Sequence, residues 1–469
     1  MSCERVVILG AGISGLVCAY ELAKKNVASL VLEAGDRVGG KIWSPRAERE
    51  GLIYEAGPDS FVTTKPAALD LALELGLEKE LLTTHAEKKG MWVYTRGRLR
   101  RFPEGLLLMA PTKIPAFLFS DIVGVFAKLR MVADVFLPAG DPSQDESINA
   151  FAQRRFGVEA AESFINPVMA GIHSGDPDLL SLKSTFPQFF KMEREHGSII
   201  RAMRTKRRPS PQPDRSMFMT LRGGIEGLTQ ALSERISGGA IRLGARVEKI
   251  HAMPSGYFEL HLSGGERVTS QNVICTVPSP AAARIFAPIS EGLAYFLSAI
   301  PFASTATVSL AYDAKDVPAS VVDGFGFVVD RRERETISGA TYSSTKFPGR
   351  VPEGTVLVRC FVGGAGRGAI LEDDDAMIVD AVCKDLKTMA GLEAVPVETR
   401  IARWPHASPQ YEVGHAERIA SIESFTESHK GIIFAGASYR GIGLPDCIRS
   451  GREAAKRVLD EKRVLGAVV

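Results

Sequence analysis

At 469 residues the chain is too long for a single core and is expected to divide into two or three domains. Apolar residues make up 45% and charged residues 24%, the mix of an ordinary globular protein, which excludes a disordered or fibrous chain. The 57 Lys and Arg against 55 Asp and Glu leave a net charge of +2 and no long basic run, which argues against nucleic acid as a partner.

The chain opens with Val6-Val7-Ile8-Leu9, then Gly10-Ala11-Gly12-Ile13-Ser14-Gly15, a helical Ala/Leu pattern to Lys25, and Ser29-Leu30-Val31-Leu32 closing on Glu33. This reads as strand, glycine turn, helix, strand. The first two glycines let the backbone turn and approach a pyrophosphate, the third lets helix and strand pack closely, and the helix start offers unpaired N–H groups to phosphate. Glu33 falls about 20 residues after the turn, where a carboxylate accepts hydrogen bonds from a ribose diol. The turn lies so near Met1 that no signal or transit peptide is expected, and the protein is expected to stay in a bacterial-type cytoplasm.

A second glycine pair follows in Ala34-Gly35-Asp36-Arg37-Val38-Gly39-Gly40-Lys41, and then Glu55-Ala56-Gly57-Pro58-Asp59-Ser60, as if more of a dinucleotide were wrapped by backbone. Residues 66–82 alternate like an amphipathic helix. Met91-Trp92-Val93-Tyr94-Thr95, the turn Arg96-Gly97, and Arg98-Leu99-Arg100-Arg101-Phe102 predict a hairpin. From 103 to about 203 the pattern is helical. Its most apolar part, 106–137, is interrupted by Pro111, Pro115, Asp121, Lys128 and Arg130; it never reaches the ~18 apolar residues of a membrane span. It suits either a membrane surface or channel wall, or a buried helical hairpin. A proline-broken basic loop at 206–213 ends the region and either is solvated or touches anionic lipid.

At Met217-Phe218-Met219-Thr220-Leu221-Arg222-Gly223-Gly224 the chain is expected to return to the dinucleotide domain. Short strands at 246–250, 257–262 and 273–278 are expected to extend its sheet, with the Val247 backbone at the adenine end. A second strand-and-helix region follows from about 280 to 405. The last segment, Ile432-Ile433-Phe434-Ala435-Gly436 and then Tyr439 to a proline-started helix at Leu444-Pro445-Asp446-Cys447, aims another positive helix end at the cofactor. In a flavoprotein such an end would suit the isoalloxazine N1/O2 edge, which becomes anionic on reduction. The six cysteines lack C-x-x-C spacing, which predicts a reduced compartment and no metal site.

The glycine segments resemble the FAD-binding opening of the amine oxidase superfamily. Three further stretches narrow the resemblance: Gly171-Ile172-His173-Ser174-Gly175-Asp176-Pro177 with Leu180-Ser181; Phe347-Pro348-Gly349-Arg350, Pro352, Gly354 and Phe361-Val362-Gly363-Gly364; and Trp404, Pro409-Gln410-Tyr411, Gly414-His415. With Leu444-Pro445-Asp446-Cys447-Ile448 they span nearly the whole chain, which is identified as a member of the oxygen-dependent protoporphyrinogen oxidase family of haem biosynthesis. The resemblance implies an α/β plus α+β fold. A Rossmann-like, PHBH-like FAD domain would comprise 1–85, 217–280 and 415–469; a mixed-sheet substrate domain 86–101, 206–216 and 281–414; and an inserted helical, membrane-facing domain 102–205. It implies non-covalent FAD, a porphyrinogen substrate and O2. Three hydride transfers to flavin N5 would convert protoporphyrinogen IX to protoporphyrin IX, with H2O2 formed each round. The protein would orient and desolvate while the cofactor carries the chemistry, so no catalytic side chain is expected. Coproporphyrinogen III oxidation, a flavin amine oxidase or carotenoid desaturase, and a non-catalytic GDI-like binding protein are the alternatives. A homodimer, hand-off to ferrochelatase and peripheral contact with the inner face of the cell membrane are further expectations.

The cofactor set expected is Gly10, Ala11, Gly12, Ile13, Ser14, Gly15, Glu33, Ala34, Gly40, Lys41, Gly57, Pro58, Asp59, Ser60, Val247, Trp404, Gly436, Leu444, Pro445 and Asp446. Gly171 and Gly175 would let main chain approach the macrocycle, or simply end helices. Phe325, Phe327 and Phe361 would stack on pyrroles, or be plain core. Where eukaryotic members carry an arginine this chain has Lys88-Lys89, so Lys88 or Lys89 would hold the propionates, with Arg98, Arg100 and Arg101 as alternatives, or else these arginines form a solvated face. His173 is read as structural ahead of acid or base, and Cys447 as a packed small residue.

Overall fold

The structure is a computed structural model; it describes residues 5–466 except 86, 88–89, 104–105, 108–109, 112–116, 118, 142, 206–215, 237–239 and 319–320. Lys88, Lys89, the basic loop at 206–213 and much of the apolar stretch after 103 therefore lie outside the described residues.

Five parallel strands form the first sheet, in the order Ile241–Arg242, Ser29–Leu32, Val6–Leu9, Val273–Cys275, Ile432–Phe434. Val6–Leu9 is buried along its whole length, as a central parallel strand covered on both faces must be. Val6 and Ile8 pack with helix Ile13–Ala23 and the C-terminal helix Leu444–Gly466, while Val7 and Leu9 face a second layer with Phe286 and Leu297.

The expectation that 246–262 extends this sheet is corrected. Val247–Ala252, Phe258–Leu262 and Arg267–Ser270 form their own antiparallel sheet, and only Val273–Cys275 joins the first. The connections explain it. Met253 N–H bonds Tyr257 O at 2.8 Å and Leu262 N–H bonds Glu266 O at 2.9 Å; such tight turns return a strand antiparallel, whereas a parallel neighbour needs a crossover of a dozen residues or so.

The second sheet has seven strands, ordered Glu398–Pro409, Phe302–Asp313, Thr355–Gly363, Ile337–Tyr342, Gly326–Val329, Trp92–Thr95, Arg98–Arg101. The last two are the predicted hairpin, and its turn residues Arg96 and Gly97 have φ of 55° and 70°, the left-handed pair that a two-residue hairpin turn requires. One face of the sheet buries Val308, Val358, Cys360 and Phe327 against Ile378, Val382 and Leu386 of helix Asp375–Ala390. That helix is capped by the Asp374 carboxylate on Met377 N–H at 2.8 Å. Side chains alternate along each strand, so Thr307, Arg359, Phe361 and Trp404 point to the opposite face, toward the first sheet.

Helices Ile148–Phe156, Asn166–His173, Pro187–His196 and Ile199–Thr205 cluster around Phe151, Phe156, Phe164 and Phe189. Asn166–His173 packs on strands Gly326–Val329 and Ile337–Tyr342. On the outside of this region Phe119, Phe126, Leu129 and Phe136 are 92, 88, 62 and 83% exposed, an apolar patch along helix Val125–Val132 and the turn that follows. Among the described residues no helix is long and apolar enough to cross a membrane.

Candidate cofactor and substrate site

The glycine turn is built as its sequence demands. Gly10 has φ of 95°, a conformation that glycine adopts without steric cost. A Cβ on Gly15 would overlap Gly10 O and lie 2.9 Å from Thr276 Oγ1, whereas a Cβ on Gly12 would meet nothing within 4 Å. One glycine is thus consumed by packing and the other borders open space. Gly12 is the N-cap of helix Ile13–Ala23 and no side chain caps it, so the N–H groups of the first turn are left for a ligand anion. Ser14 Oγ donates instead to Cys447 O at 2.9 Å, tying this helix start to that of the C-terminal helix.

Glu33 accepts from Ala11 N–H at 2.7 Å and Gly35 N–H at 2.8 Å, so its carboxylate is oriented by backbone beside the turn, next to Ala34. Gly244 N–H bonds Gly35 O and Ala245 N–H bonds Glu33 O, both at 2.8 Å, which brings Val247 to this end. The second glycine pair lies on the first loop: Gly39 N–H bonds Ala11 O at 2.8 Å, and a Cβ on Gly40 would be 3.4 Å from Gly12 Cα. From Lys41 the cradle passes to Gly57, whose missing side chain leaves room for Lys41 O. Lys41 Nζ bonds Ala407 O, and burial lowers its pKa.

Gly57 and Pro58 lead to the inward face of the second sheet. Ala56 O accepts from Trp404 Nε1 at 2.7 Å and Thr307 Oγ1 at 3.1 Å, and Gly57 O accepts from Arg359. Asp59 faces Lys346 Nζ at 3.3 Å and Arg359 Nη1 at 4.0 Å, while Ser60 donates to Asp59 at 2.7 Å. Burial pushes the Asp59 carboxyl up, but Lys346 and Arg359 outweigh it and hold the group well below the usual carboxylate range. At the far end, Gly436 lies 3.5 Å, as a Cβ, from Ser14 Oγ. Asp446, in the first turn with Leu444 and Pro445, pairs with Lys65 at 2.6 Å and Arg449 at 3.1 Å.

One cross-strand row on the inward face runs Ala402, Thr307, Phe361, Gly339, Val328, Val93. Gly339 contributes no side chain between Phe361 and Val328, which leaves a flat strip with a half-buried ring at one end. Helix Asn166–His173 faces this strip: Gly171 is exposed, and a Cβ there would rest 3.8 Å from Val328 Cγ1. Phe325 is half-buried at the adjoining strand start, its N–H on Gly90 O at 2.7 Å.

Three expected substrate residues are placed otherwise. Phe327 is 2% exposed and packs on Tyr342 at 6.2 Å within the core under helix Asp375–Ala390; strand alternation turns it away from Val328 and the strip. The space beside Gly175 is filled by Gln410 and Leu180, whose Cδ1 would be 2.6 Å from a Cβ, so this glycine serves packing. Arg98 is exposed and paired with Asp121 at 2.9 Å. His173 is buried against Phe186 and Tyr411 with Nδ1 unpartnered among the described residues, and burial lowers its pKa to about 4. Burial raises the Cys447 thiol to about 11, the behaviour of a packed side chain.

Sequence reasoning missed Lys346, Arg359 and Tyr411. Tyr411 Oη donates to Ala437 O at 2.5 Å and accepts from Gly441 N–H at 2.8 Å, fixing the loop before the C-terminal helix. Arg359 had a signal: it is the lone cation in the apolar run Val356-Leu357-Val358-Arg359-Cys360-Phe361-Val362, and a charge inside a central strand needs a partner.

A parallel sheet with a glycine turn, a carboxylate held beside it by backbone N–H groups and an uncapped helix start, facing a second, antiparallel-dominated sheet, defines a dinucleotide-dependent oxidoreductase of two-sheet architecture. The flavin containing amine oxidoreductase family matches residues 13–459, and the chain belongs to it; its cofactor is FAD. The chain is 34% identical to the coproporphyrinogen III oxidase of Bacillus subtilis, covering 97% of this chain and 98% of that one. It is 31% identical to the chloroplastic protoporphyrinogen oxidase 1 of Arabidopsis thaliana, over 96% and 87% of the two chains. A crystal structure from Exiguobacterium sp. 255-15, provisionally named protoporphyrinogen oxidase, superposes with a TM-score of 0.87 at 30% identity, over 98% and 100% of the two chains.

Proposed function

We propose that the chain is a porphyrinogen oxidase of haem biosynthesis, taking electrons from the macrocycle to FAD and thence to O2. The observation that carries this reading is the flat strip of Phe361, Gly339 and Val328 under exposed Gly171, on the sheet face that also hydrogen-bonds Ala56 and Gly57 of the cofactor cradle. A broad apolar disc needs such a surface, with an aromatic face at one side and no protruding side chain in the middle.

The residues assigned to FAD are those of the cradle. Gly10 to Gly15 and the helix start would take the pyrophosphate, Glu33 the ribose, and the Val247 backbone the adenine end. Gly40, Lys41, Gly57, Pro58 and Trp404 would border the ring system, with Gly436 and the helix at Leu444 at its far edge. When bound, the flavin supplies the two-electron acceptor. The chain's own work is to hold the macrocycle flat against the strip and to keep water out, with Asp59, Lys346 and Arg359 fixing the backbone at Gly57 behind it.

Coproporphyrinogen III is favoured as substrate by the 34% identity to the Bacillus subtilis enzyme of that name; protoporphyrinogen IX is the second reading, favoured by the Arabidopsis thaliana enzyme. The exposed rings of Phe119, Phe126 and Phe136 suit shallow insertion into a lipid surface, where apolar side chains on one helix face bind the interface. Sedimentation with anionic vesicles tests that contact. The reaction is tested by supplying each porphyrinogen in air and following porphyrin fluorescence and peroxide. Peroxide-coupled fluorescence is expected, faster with coproporphyrinogen. A flavin-loaded protein inert to both overturns the reading.

A further inference from the structure

The loop 331–334 carries three arginines before strand Ile337–Tyr342, and they are treated differently. Arg331 pairs with Asp176 at 3.2 Å and Asp178 at 2.5 Å, and Arg332 with Asp330 at 2.6 Å. Arg334 has no carboxylate within ion-pair distance among the described residues. Its Nη2 donates to Gly363 O, and its Nε is buried with no hydrogen-bond partner. Burial, reinforced by the nearby Arg367 guanidinium, lowers its pKa to about 10. A half-buried cation without a counter-ion loses part of its hydration uncompensated, and a second cation beside it adds to the cost.

Its place in the fold says what would relieve that cost. Gly363 ends strand Thr355–Gly363, two residues past Phe361. Ala365 N–H bonds Ser174 O at 2.9 Å, and Ser174 is three residues past Gly171. Arg334 therefore lies where the end of helix Asn166–His173 meets the end of the flat strip. Arg367 donates from Nη1 to Arg334 O at 3.0 Å and Glu335 O at 3.2 Å and is otherwise exposed, a second guanidinium at the same corner.

We propose that Arg334, with Arg367 beside it, is the receptor for a carboxylate on the rim of the macrocycle. This rests on the porphyrinogen reading above and adds a specificity-determining residue to it. A planar guanidinium takes a carboxylate through parallel N–H donors, and a bound anion between the two arginines removes their mutual repulsion. The competing role is structural: a cation at the C-terminal end of helix Asn166–His173 is favoured by the helix dipole alone.

The test uses the full-length, FAD-loaded protein, titrated with coproporphyrin III and separately with its tetramethyl ester, and likewise with protoporphyrin IX and its dimethyl ester, in the same detergent buffer, with quenching of tryptophan fluorescence as readout. The wild type is expected to prefer the free acid of each pair. Arg334→Met is expected to weaken acid binding by about tenfold or more, the loss of a charge-assisted hydrogen bond, while ester binding, flavin content and melting temperature stay as in the wild type. Arg334→Lys is expected to fall between, and Arg367→Met to reduce the acid preference less. An unchanged acid-to-ester ratio in Arg334→Met overturns the proposal, whether both affinities hold or both fall. If that variant loses its flavin, the same ratio in Arg334→Lys and Arg367→Met decides. A wild type that binds none of these compounds refutes the porphyrinogen reading itself.

Discussion

The two halves of the site are made of different material. The proposed cofactor cradle is backbone: Gly12 and Gly40 face each other, Gly15 rests on Gly10 O, Gly57 on Lys41 O, and the one side chain assigned to the ribose, Glu33, is itself held by Ala11 and Gly35 N–H groups. The proposed substrate face is side chain and register: Phe361, Gly339 and Val328 come from three strands, meet only because those strands pair as they do, and have their neighbours 362, 340 and 327 in the opposite core. A backbone site tolerates no added atom. A register site tolerates changes on one face and is damaged by changes on the other.

The largest effect should come from adding atoms to the cradle. Gly15→Val places its side chain on Gly10 O with nowhere to move, and the expected outcome is loss of bound flavin and of cooperative melting together. Gly12→Ala, whose Cβ enters open space, should melt as the wild type does and lose flavin alone. If both variants behave alike, the distinction between packing and ligand glycines is wrong.

The register argument is broken or sharpened by a pair of phenylalanines. Phe327→Ala should cost about 3–5 kcal/mol of stability, the range for emptying a buried aromatic site, with KM of the surviving folded protein unchanged. Phe361→Ala should melt nearer the wild type and raise KM for the porphyrinogen. Thermal melts and steady-state kinetics on the two variants separate the faces. A KM effect in Phe327→Ala would place that ring in the site.

The cradle was legible because its signals are local. Strand, glycines, helix and Glu33 occupy one short stretch, and the backbone conformations they demand follow from residue type. The face was not, because Phe325, Phe327 and Phe361 look alike in sequence and only the register in which their strands pair decides which ring turns inward. Gly171 and Gly175 were equally alike. What separates them is Gln410, 235 residues further on, which fills the space beside Gly175. Similarly, the strands after Val247 were assigned to the first sheet because β propensity says nothing about which partner a strand finds.

A smaller effect is expected at the ribose carboxylate. Glu33→Gln replaces a charged acceptor with a neutral amide that has one acceptor oxygen, and a hydrogen bond to a charged acceptor is worth about 1 kcal/mol more than one to a neutral acceptor. The folded protein should lose FAD affinity by a comparable factor, read by equilibrium release of flavin fluorescence. Retention of FAD at wild-type affinity would remove Glu33 from the ribose site.

Acid tests the buried imidazoles on either side of Tyr411. His173 and His415 are both lowered to about 4 by burial, from an ordinary value of 6.5; His415 stacks on Tyr411 at 4.0 Å and bonds Tyr439 O at 2.9 Å. The unfolded chain protonates these imidazoles first as pH falls, so their contribution is complete above about 6.5 and is lost progressively down to about 4. The melting temperature should fall between pH 6.5 and 5, and less steeply in His173→Gln. Equal slopes would show that His173 does not titrate in the folded state as described.

The smallest effect belongs to Arg98, one of the cations that sequence alone put beside the substrate. Its guanidinium is 64% exposed and already faces Asp121, which also takes Arg100 at 2.5 Å. An exposed pair of this kind contributes between zero and about 1 kcal/mol, and Arg100, at 8% exposure, keeps Asp121 engaged when Arg98 is removed. Arg98→Met should therefore leave melting temperature and KM for the porphyrinogen within experimental error, while Arg334→Met raises KM. The two variants remove the same charge, one from an exposed strand position where the guanidinium has a counter-ion and one from a half-buried loop where it has none among the described residues. A raised KM in Arg98→Met would mean that the substrate competes Asp121 away, and that the carboxylate is read at the hairpin edge instead of the corner where helix Asn166–His173 meets Gly363.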